Sequence, residues 1–179
     1  MSSPLQQLLS EQPPTTSGTH EAMAHHAESI FDEFKGVLPT FLGKRKRGPF
    51  INLTLPSAIT QSSETLLQTI GDLILVYDLR LVSIVSAIRL HDEKTNEPKL
   101  GAVLLTADNA KSLFQLPWKL TLNADKDVVD SKRSTSENDI IPRDIWLQLF
   151  TQEADDEIKR FSYDRLVERF GGESEIPKP

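Results

Sequence analysis

The chain has 179 residues, of which 38% are hydrophobic and 26% charged, with a formal net charge of -6 and no cysteine. This length fits one domain with a short disordered tail, and the composition allows a packed core. An acidic chain does not coat nucleic acid with its whole surface, so an anionic partner must meet a local patch. The absence of cysteine excludes disulfides, thiolate metal sites and cysteine nucleophiles.

The N-terminal region predicts no targeting or membrane segment. No apolar run reaches the roughly 18 residues of a membrane span. The first residues, MSSPLQQLLSEQPP, lack the charged and apolar regions of a signal peptide. We therefore expect a soluble, intracellular protein. Residues 1–20 are rich in Ser, Thr, Gln and Pro, a composition that predicts a disordered tail.

The next segment combines a helix, a basic linker and a strand. Residues 20–35 place apolar side chains at helical spacing, and Gly36 follows as a cap. The run KRKR at 44–47 precedes a Gly-Pro break, and FINLTLP at 50–56 then alternates as a strand does. The sequence thus predicts a helix and basic linker over 21–47 and a globular domain from residue 48.

The middle of the chain predicts a helix followed by strands. Residues 62–77 form the clearest helix, with a serine cap, Glu64 in the first turn and apolar residues on one side. Residues 81–90 fit either a helix or a strand. The turn-like DEKTNEPK and the β-rich AVLLT that follow favour a hairpin. The segment FQLPWKLTLNAD is a further strand.

The last third predicts a long loop and two helices. The polar segment KDVVDSKRSTSEND is expected to be a loop, and Pro142 then opens a helix. Gly171-Gly172 ends the last helix, and residues 173–179 are a short tail. The last helix is expected to bury one apolar face, formed by Ile158, Phe161, Leu166, Val167 and Phe170. The order predicts an α+β fold, a single compact domain over 48–172 with a small antiparallel sheet packed by helices.

Histidines provide the only candidate catalytic or metal-binding pattern. His20 and His25 are five residues apart, whereas the helical zinc motif needs two histidines four apart on one face. His91 lies beside Asp92 and Glu93 in a predicted turn, and no matching nucleophile accompanies it. Glycine-rich phosphate loops are absent. We therefore predict no enzyme, no cofactor and no metal site, and keep an enzyme that uses His25, His26 or His91 as a third hypothesis.

The basic run Lys44, Arg45, Lys46 and Arg47 is the strongest candidate site. Four adjacent cations suit anionic lipid, nucleic-acid phosphates or a nuclear-import receptor. Phe41 and Leu42, directly before them, are candidates for apolar insertion into a membrane. The remaining interpretation is a solvated linker that keeps a neighbouring edge strand soluble.

Several segments together resemble the matrix proteins of rhabdoviruses, most closely the short ones of cytorhabdovirus-like, plant-infecting members. These segments are the tail MSSPLQQLL, RGPFINLTL before a long helix, LPWKLTLNADKD, and IPRDIWLQLF with FSYDRLVERFGG. The resemblance covers about residues 48–172 and lies in the order and the general composition of these segments. The chain departs from the family in being acidic and in lacking a Pro-Pro-x-Tyr or Pro-Thr/Ser-Ala-Pro budding motif.

The resemblance implies a non-enzymatic structural protein of the virion and the host cytoplasm. Such a protein self-associates and bridges an anionic membrane and the viral nucleocapsid during assembly and budding. Residues 44–47 would supply the membrane contact, or a contact with the nucleocapsid or its RNA. The alternative is a small intracellular adaptor or regulatory protein whose basic patch is a nuclear-import signal or a nucleic-acid-binding site.

Overall fold

The computed structural model describes residues 3–91, 98–134 and 142–179. Its helices are α1 (Pro4–Glu11), α2 (Thr16–Phe34), α3 (Ser57–Thr60), α4 (Ser63–Tyr77), α5 (Arg143–Gln148) and α6 (Asp156–Phe170), with a 3₁₀ turn at Glu173–Glu175. Its strands are β1 (Thr40–Arg45), β2 (Phe50–Thr54), β3 (Leu79–His91), β4 (Pro98–Asp108), β5 (Leu113–Leu122) and β6 (Val128–Arg133). The predicted α+β class with an antiparallel sheet is confirmed.

The six strands form one sheet in the order β2-β1-β3-β4-β5-β6. Because residues 81–90 lie in β3 and the AVLLT segment in the adjacent β4, the favoured hairpin interpretation is confirmed. The predicted loop after β5 is wrong over Val128–Arg133, since this segment pairs antiparallel with β5 as β6. Its side chains are mostly polar and exposed, so the apolar alternation is too weak to indicate a strand.

Two compact units make up the chain. The first comprises Met1–Pro39, Ser83–Thr106 and Phe114–Ile140. In it, the Phe31 ring of α2 packs edge-on against the Trp118 ring of β5, with centroids 5.2 Å apart. Glu28 accepts hydrogen bonds from Trp118 Nε1 (3.3 Å) and from Arg133 Nη2 (2.6 Å). An apolar contact and an ion pair therefore fix the same side of α2.

The N-terminal region differs from the predicted disordered tail, because α1 and the start of α2 lie within residues 1–20. Ser3 and Gln6 form a reciprocal capping box around the first turn of α1. Leu5 is buried, and α1 packs against α2. A polar composition is thus compatible with order here, since one capping box and one buried leucine stabilise a short helix.

The second unit comprises Thr40–Val82, Ala107–Leu113 and Ile141–Pro179. Its helix α4 is capped by Ser62 at the N-terminus and by Asp78, with φ of 53°, at the C-terminus, so its bounds are close to the predicted ones. Helix α4 packs against α6. The C-terminal segment is not a free tail, because Ile176 is buried and the carbonyl of Pro177 accepts a hydrogen bond from Tyr77 Oη.

The apolar face predicted for α6 is only partly buried. Leu166 and Phe170 lie in the core, whereas Ile158 is 48% and Phe161 74% exposed. At about 100° per residue, Phe161 and Phe170 lie on opposite sides of a helix. The five predicted residues therefore cannot share one face, and the prediction was wrong for Ile158 and Phe161.

Candidate functional site

The four cations of the basic run lie at the tip of a hairpin and not in a linker. Strand β1 ends at Arg45 and β2 begins at Phe50, with Lys44 directly opposite Phe50 in the antiparallel ladder. The turn between them holds Gly48 at φ of +110°, a conformation that only glycine adopts readily. We call residues 44–50 the hairpin tip. The predicted linker boundary at residue 48 is too late, since residues 40–45 already belong to the sheet.

An aromatic ring accompanies the cations at the hairpin tip. The Nζ atom of Lys44 lies 5.4 Å from the centroid of the Phe50 ring, a distance at which the ring attracts a cation. The Phe50 side chain itself is 37% exposed. Partial burial lowers the pKa of Lys44, and the positive charge of Arg80 on β3 lowers it further. The hairpin tip therefore joins cationic and apolar surface, with Arg80 as a fifth cation nearby.

The Arg45 side chain packs against the body of its unit more than it contributes to the surface of the hairpin tip. Its guanidinium lies 5.3 Å from the centroid of the Tyr77 ring. The Tyr77 hydroxyl donates to the carbonyl of Pro177. Burial, with Tyr163 nearby, raises the pKa of Tyr77 to about 12, so the phenol stays protonated and keeps donating at neutral pH.

One carboxylate counters the hairpin tip within the described residues. Lys46 Nζ lies 3.2 Å from Asp78 Oδ1, and the two side chains are 57% and 64% exposed. An ion pair this exposed contributes little and yields to salt or to a competing anion. The Lys46 amide also donates to the Asp78 carbonyl at 3.1 Å, so the backbone of the turn is held independently of the ion pair.

Phe41 and Leu42, predicted as candidates for insertion into a membrane, are buried and not on the surface. They are 0% and 1% exposed, because they lie in the buried part of β1, in the core of its unit. Their insertion into lipid would require β1 to leave the sheet. Phe50 is the exposed apolar side chain of this hairpin. The side chains of β2 alternate between buried and exposed, and Phe50 is on the exposed side. The alternation in the sequence therefore already indicated that Phe50 is exposed, whereas no pattern indicated that Arg80 lies near Lys44.

The histidines make separate contacts with other residues and do not form one site. His20 Nδ1 is hydrogen-bonded to Thr106 Oγ1 at 2.7 Å, and Thr106 to Ser83 Oγ at 2.8 Å. Both hydroxyl groups belong to fully buried residues, so neither is exposed to solvent. Burial lowers the pKa of His20 to about 4 and also lowers that of His26.

The other histidine candidates are not brought together either. His25 Nε2 faces Glu21 at 3.2 Å on the exposed side of α2. His91 ends β3, while its side chain and residues 92–97, including Asp92 and Glu93, lie outside the described residues. Over residues 3–91, 98–134 and 142–179, no group of three His, Cys, Asp or Glu side chains could hold a metal ion.

No family model, curated protein or solved structure matches the chain. In the part of the chain that the structure describes, no helix has both the length and the apolar character needed to cross a membrane. The hairpin tip is therefore the feature on which a functional hypothesis rests.

Proposed function

We propose that the chain is a non-enzymatic assembly protein that binds an anionic membrane surface through its hairpin tip. One observation carries the proposal: the tip presents the exposed side chains of Lys46 and Arg47 and the exposed ring of Phe50, over which Lys44 lies. Cations attract anionic headgroups, and an aromatic ring partitions into the interface. This role agrees with the matrix-type function that the sequence resemblance implies, in which copies self-associate and bridge membrane and nucleocapsid.

The affinity expected of a single copy is modest. Each cation near an anionic surface contributes about 1 kcal/mol. Lys44, Lys46 and Arg47 together then contribute about 3 kcal/mol, which corresponds to roughly a hundredfold in affinity. We expect binding to be strong at low salt and weak at physiological salt for an isolated copy.

The alternative, an adaptor with a linear nuclear-import signal, fits the structure less well. An import receptor binds a linear motif as an accessible, extended segment. Here Lys44 is paired with Phe50 in the antiparallel ladder and Arg45 lies over the Tyr77 ring. Only Lys46 and Arg47 of the run lie outside the strands. Binding of RNA or of the nucleocapsid through the same cations and ring is the second alternative, since stacking and phosphate contacts use the same groups.

Flotation with vesicles tests the proposal. Native protein is compared with a tip variant, Lys44→Gln, Lys46→Gln and Arg47→Gln, which spares the stacked Arg45. The matched control changes two lysines and one arginine on other exposed positions, Lys119→Gln, Lys132→Gln and Arg89→Gln. Vesicles of phosphatidylcholine with and without phosphatidylserine are used at low and at physiological salt, and circular dichroism verifies folding.

We expect the native protein and the control to float with anionic vesicles at low salt, and the tip variant to bind roughly a hundredfold more weakly. Equal flotation of the tip variant, or equal binding of the native protein to uncharged vesicles, contradicts the membrane role. If the native protein stays unbound but retards single-stranded RNA in a gel and the tip variant does not, the nucleic-acid alternative replaces it.

A further inference from the structure

The solvent side of α6 carries an aromatic ring framed by carboxylates. Phe161 is 74% exposed and Ile158 48% exposed. Relative to Phe161, exposed acidic side chains stand at i-4 (Glu157), i+3 (Asp164) and i+7 (Glu168). On an α-helix these spacings place all three on the same side as the ring. We call Glu157, Ile158, Phe161, Asp164 and Glu168 the α6 outer face.

The cations near this surface do not neutralise it. The exposed Arg160 stands at i+3 from Glu157 and i-4 from Asp164, so it offsets one of the three carboxylates. Arg165 donates from Nε (2.8 Å) and Nη2 (2.6 Å) to the two carboxylate oxygens of Asp72 on α4. A bidentate pair of this kind fixes the guanidinium to its own carboxylate. The α6 outer face therefore presents net negative charge around exposed apolar surface. Its partner should be cationic and should carry an apolar group of its own.

The hairpin tip has this complementary chemistry. It presents the exposed side chains of Lys46 and Arg47, together with the exposed ring of Phe50, over which Lys44 lies. Docking would place cations against the three carboxylates and over the Phe161 ring, and would cover two exposed aromatic side chains. Both charge pairing and cation–π contact strengthen when the groups are partly desolvated.

We propose that the α6 outer face of one copy binds the hairpin tip of a second copy. The tip of the same copy is excluded by helix geometry: Lys159 of α6 lines a surface hollow together with Lys46, and Phe161 lies about 200° further around the helix. The contact joins two different surfaces, so it is heterologous and extends into open chains of subunits. This inference rests on the self-association included in the proposed function.

Sedimentation velocity at low and high salt tests the contact. The tip variant described above is compared with a face variant, Glu157→Gln, Phe161→Ser and Glu168→Gln. A matched control changes another exposed phenylalanine and two exposed glutamates, Phe34→Ser, Glu11→Gln and Glu33→Gln. The decisive sample is an equimolar mixture of tip variant and face variant, because it contains one intact tip and one intact α6 outer face per pair.

We expect salt-sensitive oligomers from the native protein and the control, monomers from each variant alone, and 1:1 dimers from the mixture. Native protein that is monomeric at all concentrations, a tip or face variant that still forms oligomers, or a mixture that stays monomeric overturns the inference. Vesicle flotation separates the two proposals. A face variant that floats like the native protein but is monomeric supports both. A tip variant that loses flotation but keeps its oligomers supports only the membrane role.

Discussion

The ion pair between α4 and α6 gives the sharpest stability prediction. Asp72 is 3% exposed and accepts two short hydrogen bonds from Arg165, while Arg169 Nη1 lies 3.8 Å from Asp72 Oδ2. This contact fixes the rotation of α6 and hence the side of the helix that presents Phe161 to solvent. We expect Asp72→Ala to destabilise the protein even though it places alanine inside a helix.

The magnitude follows from the exposure of the partner. Hydrogen bonds to charged groups contribute roughly 1.5–3 kcal/mol each when buried. The Arg165 side chain is 37% exposed, so it recovers much of its hydration once the carboxylate is removed. The higher helix propensity of alanine offsets up to about 0.7 kcal/mol. The net loss in the free energy of unfolding should be about 1.5–2 kcal/mol.

Urea denaturation of native protein, Asp72→Ala, Arg165→Met and the double variant measures the effect. The double-mutant cycle should give a coupling of at least about 1 kcal/mol, as expected for groups in direct contact. Asp164→Ala, on the exposed side of α6, is the control and should change stability by less than about 0.5 kcal/mol. An equally small effect of Asp72→Ala, or a coupling near zero, would refute the reasoning.

Two further predictions concern the first unit. The pKa of His20 is lowered by burial from 6.5 to about 4, so the unfolded chain takes up this proton first as the pH falls. Stability should therefore decrease between pH 6.5 and 4, by up to about 3 kcal/mol. Urea midpoints of His20→Gln should show a weaker pH dependence than those of His25→Gln, and identical pH profiles would contradict this assignment. A Cβ at Gly18 would lie 2.1 Å from the carbonyl oxygen of Pro13. Gly18→Ala should therefore lower the free energy of unfolding by at least about 1 kcal/mol, although alanine normally stabilises a helix. A higher thermal midpoint for this variant would indicate that the residues before α2 are not packed as described.

The sequence predicted best where the signal is local and periodic. Helix α4 combines a serine cap, Glu64 in its first turn and a continuous apolar side, and its observed bounds follow these features. Strand β2 alternates over five residues. The N-terminal helices escape a prediction from composition, because the feature that stabilises α1 is the capping box of Ser3 and Gln6, a signal of position and not of overall polarity.

The candidate site was predicted only in part. The cations 44–47 are identified by their charge alone, but their place at a hairpin tip depends on the pairing of β1 with β2. Arg80 approaches Lys44 through the pairing of distant segments, and no local pattern indicates such a contact. Phe161 shows the opposite case. Phe161 lies nine positions before the buried Phe170. At about 100° per residue, this spacing puts the two rings on opposite sides of the helix, so Phe161 faces solvent when Phe170 is buried.

On the proposed anionic surface, the acidic body and the basic hairpin tip would experience opposite forces. With a formal net charge of -6, the molecule as a whole is repelled, while the tip is attracted at short range. Opposed forces of this kind select an orientation more strongly than a uniformly basic surface does, because every other approach is unfavourable. The carboxylates around Phe161 would be repelled by the same headgroups that attract Arg47. A membrane-bound copy would therefore keep its α6 outer face away from the lipid and available to the tip of a second copy.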